Sequence, residues 1–363
     1  MLYCSECLRK YYFMHACIFF CDKYWVGNMD ITVAYFHPLF HEETVRRDFK
    51  QIRASGANSI VYALHEQEEQ RWPRDFERGL RIAQEVGLKV YLSLGRFGNL
   101  FAGPVFMPSW YTFRHPESLV KDRHGRSHDM TCFNHESFRS WLFGEIEYYL
   151  SNYSLSGIII EEPRLPDITC FCSVCRALCP DITDLQHFRR RSMIDFLNEL
   201  FACAKRVNQQ TKTTIILLPQ DLNLIEEIAT IPALDTIGCH LFWQLLGEDV
   251  SMVETWGHEL VDMVKQHGKR SQLWLQNFNL DEPDEQLLET AFSSLLRVEP
   301  DELACYYFWR NNANPEHVWQ QTRGLLRRIP RRQLFWQTAP RLPITQPLVD
   351  EHACSGSAEN KDN

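Results

Sequence analysis

The chain contains 363 residues, of which 45% are hydrophobic and 13% aromatic, and it carries a net charge of -9. This apolar content is enough for a sizeable core, and the length fits either two average domains or a single α/β barrel. The acidic balance and the lack of a long basic run exclude a typical nucleic-acid-binding protein. The apolar stretches are much shorter than the about 20 residues that cross a membrane. We therefore expect a globular protein whose partners are neither nucleic acid nor membrane.

Short apolar runs alternate with amphipathic stretches along most of the chain. The pattern predicts strands at Ile31–Phe36, Asn58–Leu64, Leu88–Leu94, Gly157–Ile160, Thr213–Leu218, Thr236–Trp243, Gln272–Gln276 and Leu303–Phe308. It predicts helices at Glu42–Ser55, Pro73–Val86, His135–Tyr149, Phe188–Val207, Leu222–Ala229, Val253–His267, Glu285–Val298 and Pro315–Arg328. Only residues 95–134 interrupt this alternation, as a predicted long loop.

Strict alternation of strands and helices predicts a parallel sheet with right-handed crossovers, and eight units are the number that closes a (β/α)8 TIM barrel. The strands are apolar on both faces, as buried parallel strands are. An open doubly wound sheet is the alternative, but no Gly-x-Gly-x-x-Gly follows any predicted strand. We therefore expect an α/β fold with a single barrel domain over residues 29–332.

Both ends of the chain differ from the barrel region. Residues 1–28 have no clear period and contain four cysteines, Cys4, Cys7, Cys17 and Cys21. One hypothesis places the native start at Met29, so that the first 28 residues form a poorly ordered extension; a second zinc site on these cysteines is the alternative. Residues 333–363 become polar and aperiodic, which predicts a flexible C-terminal tail.

Thirteen cysteines are an odd number, and four of them, Cys170, Cys172, Cys175 and Cys179, lie within ten residues. Such close spacing suits convergence on one metal ion better than disulfide pairing. Cys203, Cys239 and Cys305 stand singly among apolar residues, as buried reduced thiols do. This cysteine usage favours a reducing, cytoplasmic location.

In a parallel barrel the functional site lies at the C-terminal ends of the strands. The predicted ends are rich in carboxylate, amide, imidazole and indole groups, which suit a polyhydroxylated ligand: polar groups bind hydroxyls and indoles stack on sugar faces. The residues that we expect to bind substrate are His37, His65, Arg96, Trp243, Trp274, Gln276, Trp309 and Arg310. A saccharide is therefore the predicted partner. Homo-oligomerisation through the outer helices is compatible with a barrel but has no support in the sequence.

The fourth predicted strand ends in Gly-Ile-Ile-Ile-Glu-Glu-Pro, and Cys-Phe-Cys-Ser-Val-Cys follows soon after it. These segments resemble glycoside-hydrolase-like (β/α)8 barrels, above all glycoside hydrolase family 42 and related predicted glycosidases. The resemblance implies a structural zinc on Cys170, Cys172 and Cys175, with Cys132 as the separate upstream ligand; Cys179 is the nearer alternative. It also implies a general acid/base glutamate on the fourth strand, which is Glu162 by the Glu-Pro match and Glu161 by its distance from the cysteines.

The resemblance also implies a nucleophilic glutamate at the end of the seventh strand, and the sequence departs from it there. Gln276 or Asn277 occupies that position, and an amide cannot attack an anomeric carbon. Asp281 and Glu282 follow a little later. A second arrangement makes Glu161 the nucleophile and Asp221 or Glu248 the acid. Glycoside hydrolysis requires one protonated and one ionised carboxyl group in either case.

The resulting function prediction is a glycosidase that uses Glu161, Glu162 and Asp221 in carboxylate acid/base catalysis. The lack of a carboxylate at the end of the seventh strand supports an alternative, a barrel that binds a saccharide without hydrolysing it. A third hypothesis is a barrel enzyme of another kind, such as a lyase or a transferase.

Overall fold

The computed structural model describes residues 29–102, 109–163, 169–306, 308 and 311–329. The predicted N-terminal extension with its four cysteines, the predicted tail, and Trp309 and Arg310 lie outside the described residues. Among the helices that are described, none is long and apolar enough to cross a membrane.

Eight parallel strands form a closed barrel, which confirms the predicted (β/α)8 fold. In chain order the barrel strands are β1 (Asp30–Tyr35), β2 (Ser59–Ala63), β3 (Lys89–Ser93), β6 (Gly157–Glu161), β7 (Lys212–Leu217), β8 (Thr236–Leu241), β9 (Arg270–Gln276) and β10 (Glu302–Tyr306). Neighbouring strands in the barrel are also neighbours in sequence order, and β1 closes the ring against β10. Hence β6 and β9 are the fourth and seventh barrel strands.

Helices surround this barrel and connect its strands. The helices are α1 (Glu42–Ser55), α2 (Glu68–Arg71), α3 (Pro73–Glu85), α4 (Trp110–Arg114), α5 (Glu136–Asn152), α6 (Ser173–Leu178), α7 (Leu185–Val207), α8 (Ile225–Ile228), α9 (Met252–Gln266), α10 (Glu282–Glu285), α11 (Leu288–Val298) and α12 (Pro315–Arg327). Local signals explain several of these ends: α1 stops at Gly56, which adopts a left-handed φ of 107°, and α3 and α12 begin with proline.

The predicted loop over residues 95–134 contains secondary structure, so that prediction was wrong in part. It includes α4 and an antiparallel hairpin of β4 (Leu119–Lys121) and β5 (Ser127–Thr131). Asp122 organises the turn by accepting backbone hydrogen bonds from His124 and Arg126. The two strands have only three and five residues, and β5 is mostly polar, so they lack the apolar run that marked the barrel strands.

Alternation along each barrel strand separates two apolar layers. In β6, Ile158 and Ile160 pack outwards against the helices, whereas Ile159 lies in the barrel interior with Ile216 and Trp274. Side chains of a strand alternate between its two faces, so Glu161, two residues after Ile159 and the last residue of β6, also points inwards. The barrel interior is therefore a packed core with its polar groups at the two ends.

A buried carboxyl group lies at the N-terminal end of the barrel interior. Glu302 opens β10, and its side chain accepts a hydrogen bond from Thr32 Oγ1, which in turn lies 2.6 Å from Ser59 Oγ. Burial raises the pKa of Glu302, because an ionised carboxylate loses its hydration there. This end is opposite to the expected site, so Glu302 bears on stability rather than on function.

We expect Glu302→Gln to stabilise the protein at pH 8 relative to the parent. The folded state raises the pKa of Glu302, so the parent loses stability as the pH rises from the unfolded towards the folded pKa. Glutamine has the same shape and keeps an oxygen that can accept the hydrogen bond from Thr32, but it never ionises. The free energy of unfolding of this variant should therefore depend less on pH than that of the parent. Thermal unfolding at pH 5 to 8 measures this. Glu302→Ala is the contrast, with an expected cost of about 3 kcal/mol from the cavity and the lost hydrogen bond. A Glu302→Gln variant that is less stable than the parent at pH 8 would contradict the argument.

Candidate active site

Glu161 and Glu162 stand at the C-terminal end of β6, and the backbone turns sharply between them. Glu161 is the last strand residue, whereas Glu162 adopts a left-handed φ of 42°. The Glu162 N–H still donates to Ile216 O at 2.8 Å, and Glu161 O accepts from Ala102 N at 2.8 Å. A continued strand would direct the two side chains to opposite faces. Because the strand ends here, both carboxyl groups reach the same neighbour.

That neighbour is His240, which projects into the barrel interior from β8. Its Nδ1 lies 2.5 Å from Glu162 Oε1, and its Nε2 lies 4.0 Å from Glu161 Oε2. The ring stacks on Phe242 at 4.4 Å and contacts the edge of Trp274 at 5.1 Å. One imidazole thus stands between the two carboxyl groups, with a different ring nitrogen towards each.

The two carboxyl groups occupy different environments. Glu161 is 1% exposed, and among the described residues its Oε1 has no hydrogen-bond partner. Burial raises the pKa of Glu161, and the nearby His240 opposes that effect. The Glu162 side chain keeps 25% of its surface exposed. Glu161 is therefore biased towards its neutral form, while Glu162 is the member of the pair that solvent reaches.

The seventh barrel strand presents an amide at the same end of the barrel. Gln276 is fully buried and exchanges hydrogen bonds with Gln244: its Oε1 accepts from the Gln244 N–H, and its Nε2 donates to Gln244 Oε1, both at 3.2 Å. Asn279 Nδ2 also approaches Gln244 Oε1, at 3.5 Å, and Asn279 Oδ1 accepts from Asn311 Nδ2 at 2.7 Å. These four residues form an amide network across the loops after β8, β9 and β10.

Two of the three tryptophans that the sequence analysis assigned to substrate binding, Trp243 and Trp274, are buried. Trp274 is 0% exposed and lies in the interior layer, where its Nε1 donates to Gln272 Oε1 at 2.7 Å. Trp243 is 1% exposed and packs in the outer layer, between the barrel and the helices. Neither indole offers an open face to a sugar in this conformation. Trp274 instead packs against His240 and helps to fix its ring.

Three other predicted substrate-binding residues are half-buried at the C-terminal ends of the strands. His37 Nε2 lies 2.9 Å from Phe308 O, and Arg96 Nη2 donates to Asn99 Oδ1 at 3.1 Å. His65 follows β2, and burial lowers its pKa. These side chains are thus held by neighbouring loops without being fully enclosed.

The other carboxylates considered in the sequence analysis differ in their exposure to solvent. Asp221 is half-buried in the 3-10 turn after β7, whereas Glu248, Asp281 and Glu282 are exposed. Burial raises the pKa of the Cys239 thiol on β8, and the charges of Glu162 and Asp221 add to that effect. The charges of Asp221 and Glu162 thus act on the same thiol.

A buried glutamate anchors the loop that follows β3. Glu66 Oε1 accepts from Gly98 N at 2.9 Å and from Ser109 Oγ at 2.6 Å, and its Oε2 accepts from Tyr111 N at 2.7 Å. The Gly98 position requires glycine, because φ is 62° and a Cβ would meet Phe138 at 2.5 Å. The anchored loop then donates the Ala102 N–H to Glu161 O. Glu66 thus supports the backbone beside the glutamate pair.

Unfavourable backbone conformations concentrate at this end of the barrel. Seven described non-glycine residues have positive φ, and six of them follow the C-terminal ends of barrel strands: Gln67, Arg96, Asn99, Glu162, Asn279 and Asn311. Such residues cost free energy and cluster at functional sites, where the surrounding structure enforces them. The pattern marks the C-terminal face of the barrel independently of any motif.

Four buried cysteines converge beside the hairpin. The Sγ atoms of Cys132, Cys170, Cys172 and Cys175 all lie within 4.8 Å of one another. Cys132 Sγ is 3.4 Å from Cys175 Sγ and 3.9 Å from Cys172 Sγ. Four thiolates with bonds of about 2.3 Å to a tetrahedral ion would be about 3.8 Å apart, so this group can hold a metal ion.

The chemistry of the cysteine cluster fits a metal as well. Hydrogen bonds among the four thiols lower the pKa of Cys170 to about 6 and lower that of Cys172, but they raise the pKa of Cys132 and the pKa of Cys175 is raised as well, so two of the four thiols favour the thiolate without a metal. Asn134 Nδ2 approaches Cys175 Sγ at 3.4 Å, as a residue that supports a metal ligand does. Cys179 is outside the cluster, and its Sγ donates to Asp181 O.

The cluster joins two segments that are distant in sequence. Cys132 directly follows β5 and its N–H donates to Ser118 O, while Phe171 N donates to Lys121 O of β4. The hairpin is thereby attached to the loop that follows Glu161 and Glu162. A metal in this cluster would restrain the loop after β6.

Comparison with solved structures identifies barrels of the same architecture. A β-galactosidase from the psychrophilic Marinomonas ef1 superposes with a TM-score of 0.62 at 11% identity, over 82% of this chain and 59% of that one. The catalytic domain of a β-amylase from Paenibacillus polymyxa gives 0.59 at 8% identity, over 81% and 97%. An endo-β-1,4-mannanase from Thermotoga petrophila gives 0.55 at 9%, over 83% and 77%. These neighbours share the fold.

The similarity is structural rather than sequential. No protein-family model matches the chain, and the search for related curated sequences found no match. The chain spans about three fifths of the length of the Marinomonas enzyme. The neighbours are glycoside hydrolases built on a parallel eight-stranded barrel, and the identities of 8–13% establish the architecture alone.

The predicted strand Thr236–Trp243 contained His240, but the sequence analysis assigned this residue no role. Its position in β8 was the available signal, because alternation along Thr236–Leu241 puts Gly238 and His240 on the same inward face. The hairpin that packs against the cysteine cluster was missed for the reason given above, since its strands are short and polar.

Proposed function

We propose that this protein is a glycoside-hydrolase-like enzyme that acts on a saccharide at the C-terminal mouth of the barrel. The observation that carries the proposal is the arrangement of Glu161 and Glu162 around His240 at the end of the fourth barrel strand. Glycoside hydrolysis needs a carboxyl group that can exchange a proton with the leaving oxygen, and here the partly exposed Glu162 is hydrogen-bonded to His240 with the buried Glu161 behind the ring.

We assign the general acid/base role to Glu162. It is the more exposed member of the pair, and it is also the residue that the Glu-Pro match favours. Glu161 is too buried to touch a substrate in this conformation, so it acts through its neighbour. Asp221 is our candidate for the second carboxylate, because it follows the adjacent strand β7 and its charge acts on the same thiol, Cys239, as that of Glu162.

A second candidate function is saccharide binding without hydrolysis. Gln276 occupies the end of the seventh strand, where a nucleophilic carboxylate would be needed, and its amide is committed to Gln244. An amide network of this kind suits hydroxyl recognition, because amides both donate and accept hydrogen bonds. In either function, the half-buried His37, His65 and Arg96 remain our proposed substrate contacts, and the fully buried Gln276 would act on the substrate through Gln244.

A panel of nitrophenyl glycosides distinguishes the two functions. We expect the full chain to release nitrophenol from at least one glycoside, and we expect the Glu162→Gln variant, purified in parallel, to release little. The variant controls for contaminating glycosidases. If no glycoside is cleaved and calorimetry with the corresponding free sugars still detects binding, the hydrolase proposal falls and the binding function replaces it.

We further propose that the cysteine cluster holds zinc and that its role is structural. A site with four thiolate ligands is closed, so the ion would have no open position for water or substrate. Such a cluster of free thiols is stable in a reducing compartment, which supports a cytoplasmic location. Bound zinc would restrain the loop after β6 and thereby Glu162.

A further inference from the structure

We propose that His240 is a positioning residue that couples the protonation of Glu161 to that of Glu162. The inference rests on the proposed acid/base role of Glu162 and extends it to a three-residue unit. The geometry points to it because the imidazole presents Nδ1 to one carboxyl group and Nε2 to the other. The ring is 1% exposed, so His240 acts on the carboxyl groups rather than on a substrate.

Packing restricts the imidazole to this orientation. Phe242 stacks on the ring with an interplanar angle of 15°, Trp274 meets it edge-on at 89°, and the Tyr306 ring centroid lies 5.4 Å away. Turning the ring over would displace these neighbours in a close-packed interior. Nδ1 therefore stays with Glu162, and the carboxylate is fixed in direction by a short hydrogen bond.

The titratable groups around His240 determine which protonation states Glu161, Glu162 and His240 can adopt together. Among the described residues that contact His240, the titratable ones are Glu161 and Glu162 from β6 and Tyr306 from β10; Phe242 and Trp274 carry no charge. Glu162 and the ring can share one proton without a change in net charge, because a neutral acid beside a neutral ring and a carboxylate beside a protonated ring are both neutral pairs, the arrangement that a buried site tolerates best. Burial raises the pKa of Glu161 and so disfavours its ionised form.

Proton transfer through these three side chains balances when the ring is neutral and carries its proton on Nδ1. When Glu162 gives its proton to a leaving oxygen, the carboxylate that remains takes the Nδ1 proton of His240 while Nε2 accepts the proton of the Glu161 carboxyl group, once a small side-chain rotation shortens the present 4.0 Å separation. The ring stays neutral and changes tautomer, and Glu161 is left as the anion until water returns a proton to the site. No atom outside these three residues and water is needed.

The test measures the charge state of His240 and needs no substrate. Ring nitrogen shifts of 15N-histidine-labelled full-length protein are followed against pH, and the His240 signal is assigned by its loss in His240→Asn. In Glu162→Gln we expect the proton affinity of the His240 ring to fall by about tenfold or more, because the amide removes the compensating charge. In Glu161→Gln we expect this titration to change by less than about threefold, because a neutral amide replaces a neutral acid, and we expect the variant to lack the additional shift of the His240 ring nitrogens that ionisation of Glu161 causes in the parent at higher pH. The exposed His258 on α9 is the internal reference.

Two results would overturn the coupling. One is an unchanged His240 titration in Glu162→Gln; the other is a set of His240 ring-nitrogen shifts in Glu161→Gln that matches the parent at every pH, since the ring would then not sense Glu161. Backbone amide spectra of both variants establish that the barrel remains folded, so a lost fold is not mistaken for a lost contact. This test can succeed or fail independently of the proposed function. If the titrations are as expected but the protein cleaves no glycoside, the coupling of the three residues stands and the hydrolase proposal falls.

Discussion

The Glu162→Gln variant is expected to lose about 10²–10⁴-fold in kcat/KM towards any glycoside that the parent cleaves, the range for removal of a general acid/base. Glutamine keeps the size of the side chain and its hydrogen bond to His240 Nδ1, but it cannot transfer a proton. Substrate binding should change little, so the loss is expected in kcat rather than in KM. Steady-state hydrolysis across a pH series measures both constants.

Glu161→Gln is the matched control, because it makes the same chemical change one residue earlier. Glu161 is buried and biased towards its neutral form. At neutral pH its replacement by glutamine should therefore lower kcat/KM by less than about tenfold, which corresponds to about 1.4 kcal/mol in the activation barrier. Equal losses in the two variants would show that a proton from Glu161 is required for the reaction as well. A larger loss in Glu161→Gln would reverse the roles proposed for the pair.

The Cys172→Ser variant is expected to lose its bound metal and to unfold about 10 °C below the parent, since structural metal binding contributes several kcal/mol of folding free energy. Cys172 is central to the cluster: its Sγ lies 3.9 Å from Cys132 Sγ and accepts from the Cys175 N–H. Metal analysis by mass spectrometry and thermal unfolding measure the two effects. We expect about one zinc per chain in the parent.

Cys179→Ser is the control for this prediction. Cys179 is a buried cysteine four residues from Cys175, but its thiol contacts Asp181 O instead of the cluster. Its loss should leave the metal content unchanged and the thermal transition close to that of the parent. Metal loss in both variants, or in neither, would contradict a site formed by Cys132, Cys170, Cys172 and Cys175. Parent protein without metal would remove the zinc proposal altogether.

The periodicity of the sequence was sufficient to predict the barrel. Buried parallel strands carry continuous apolar runs and amphipathic helices carry a 3.6-residue pattern, so each unit such as β1 and α1 is recognisable from its own residues. The hairpin of β4 and β5 was not predictable in this way. Its stability comes from the Asp122 turn and from packing beside the cysteine cluster, and neither leaves an apolar repeat.

The candidate site was predictable only as a set of residue types at strand ends. Indole groups at these positions suggested platforms for sugar stacking. The alternation of side chains along each strand instead places Trp274 in the interior core layer and Trp243 in the outer one. The spacing of Cys170, Cys172 and Cys175 indicated a metal site, while the choice between Cys132 and Cys179 as the fourth ligand depended on where β5 ends.

By itself, the sequence determined the order of the strands and helices, the pair Glu161–Glu162 at the end of the fourth barrel strand, and the amide at the end of the seventh. These features depend on residues that are close in the chain. The tertiary structure decided which side chains meet. The left-handed φ of Glu162 brings both carboxyl groups to one side, and β8 supplies His240 between them, 78 residues after Glu162. The pairing of β6 and β8 on either side of β7, rather than any local pattern, creates that contact, because the curvature of the barrel directs the interior residues of neighbouring strands towards one another.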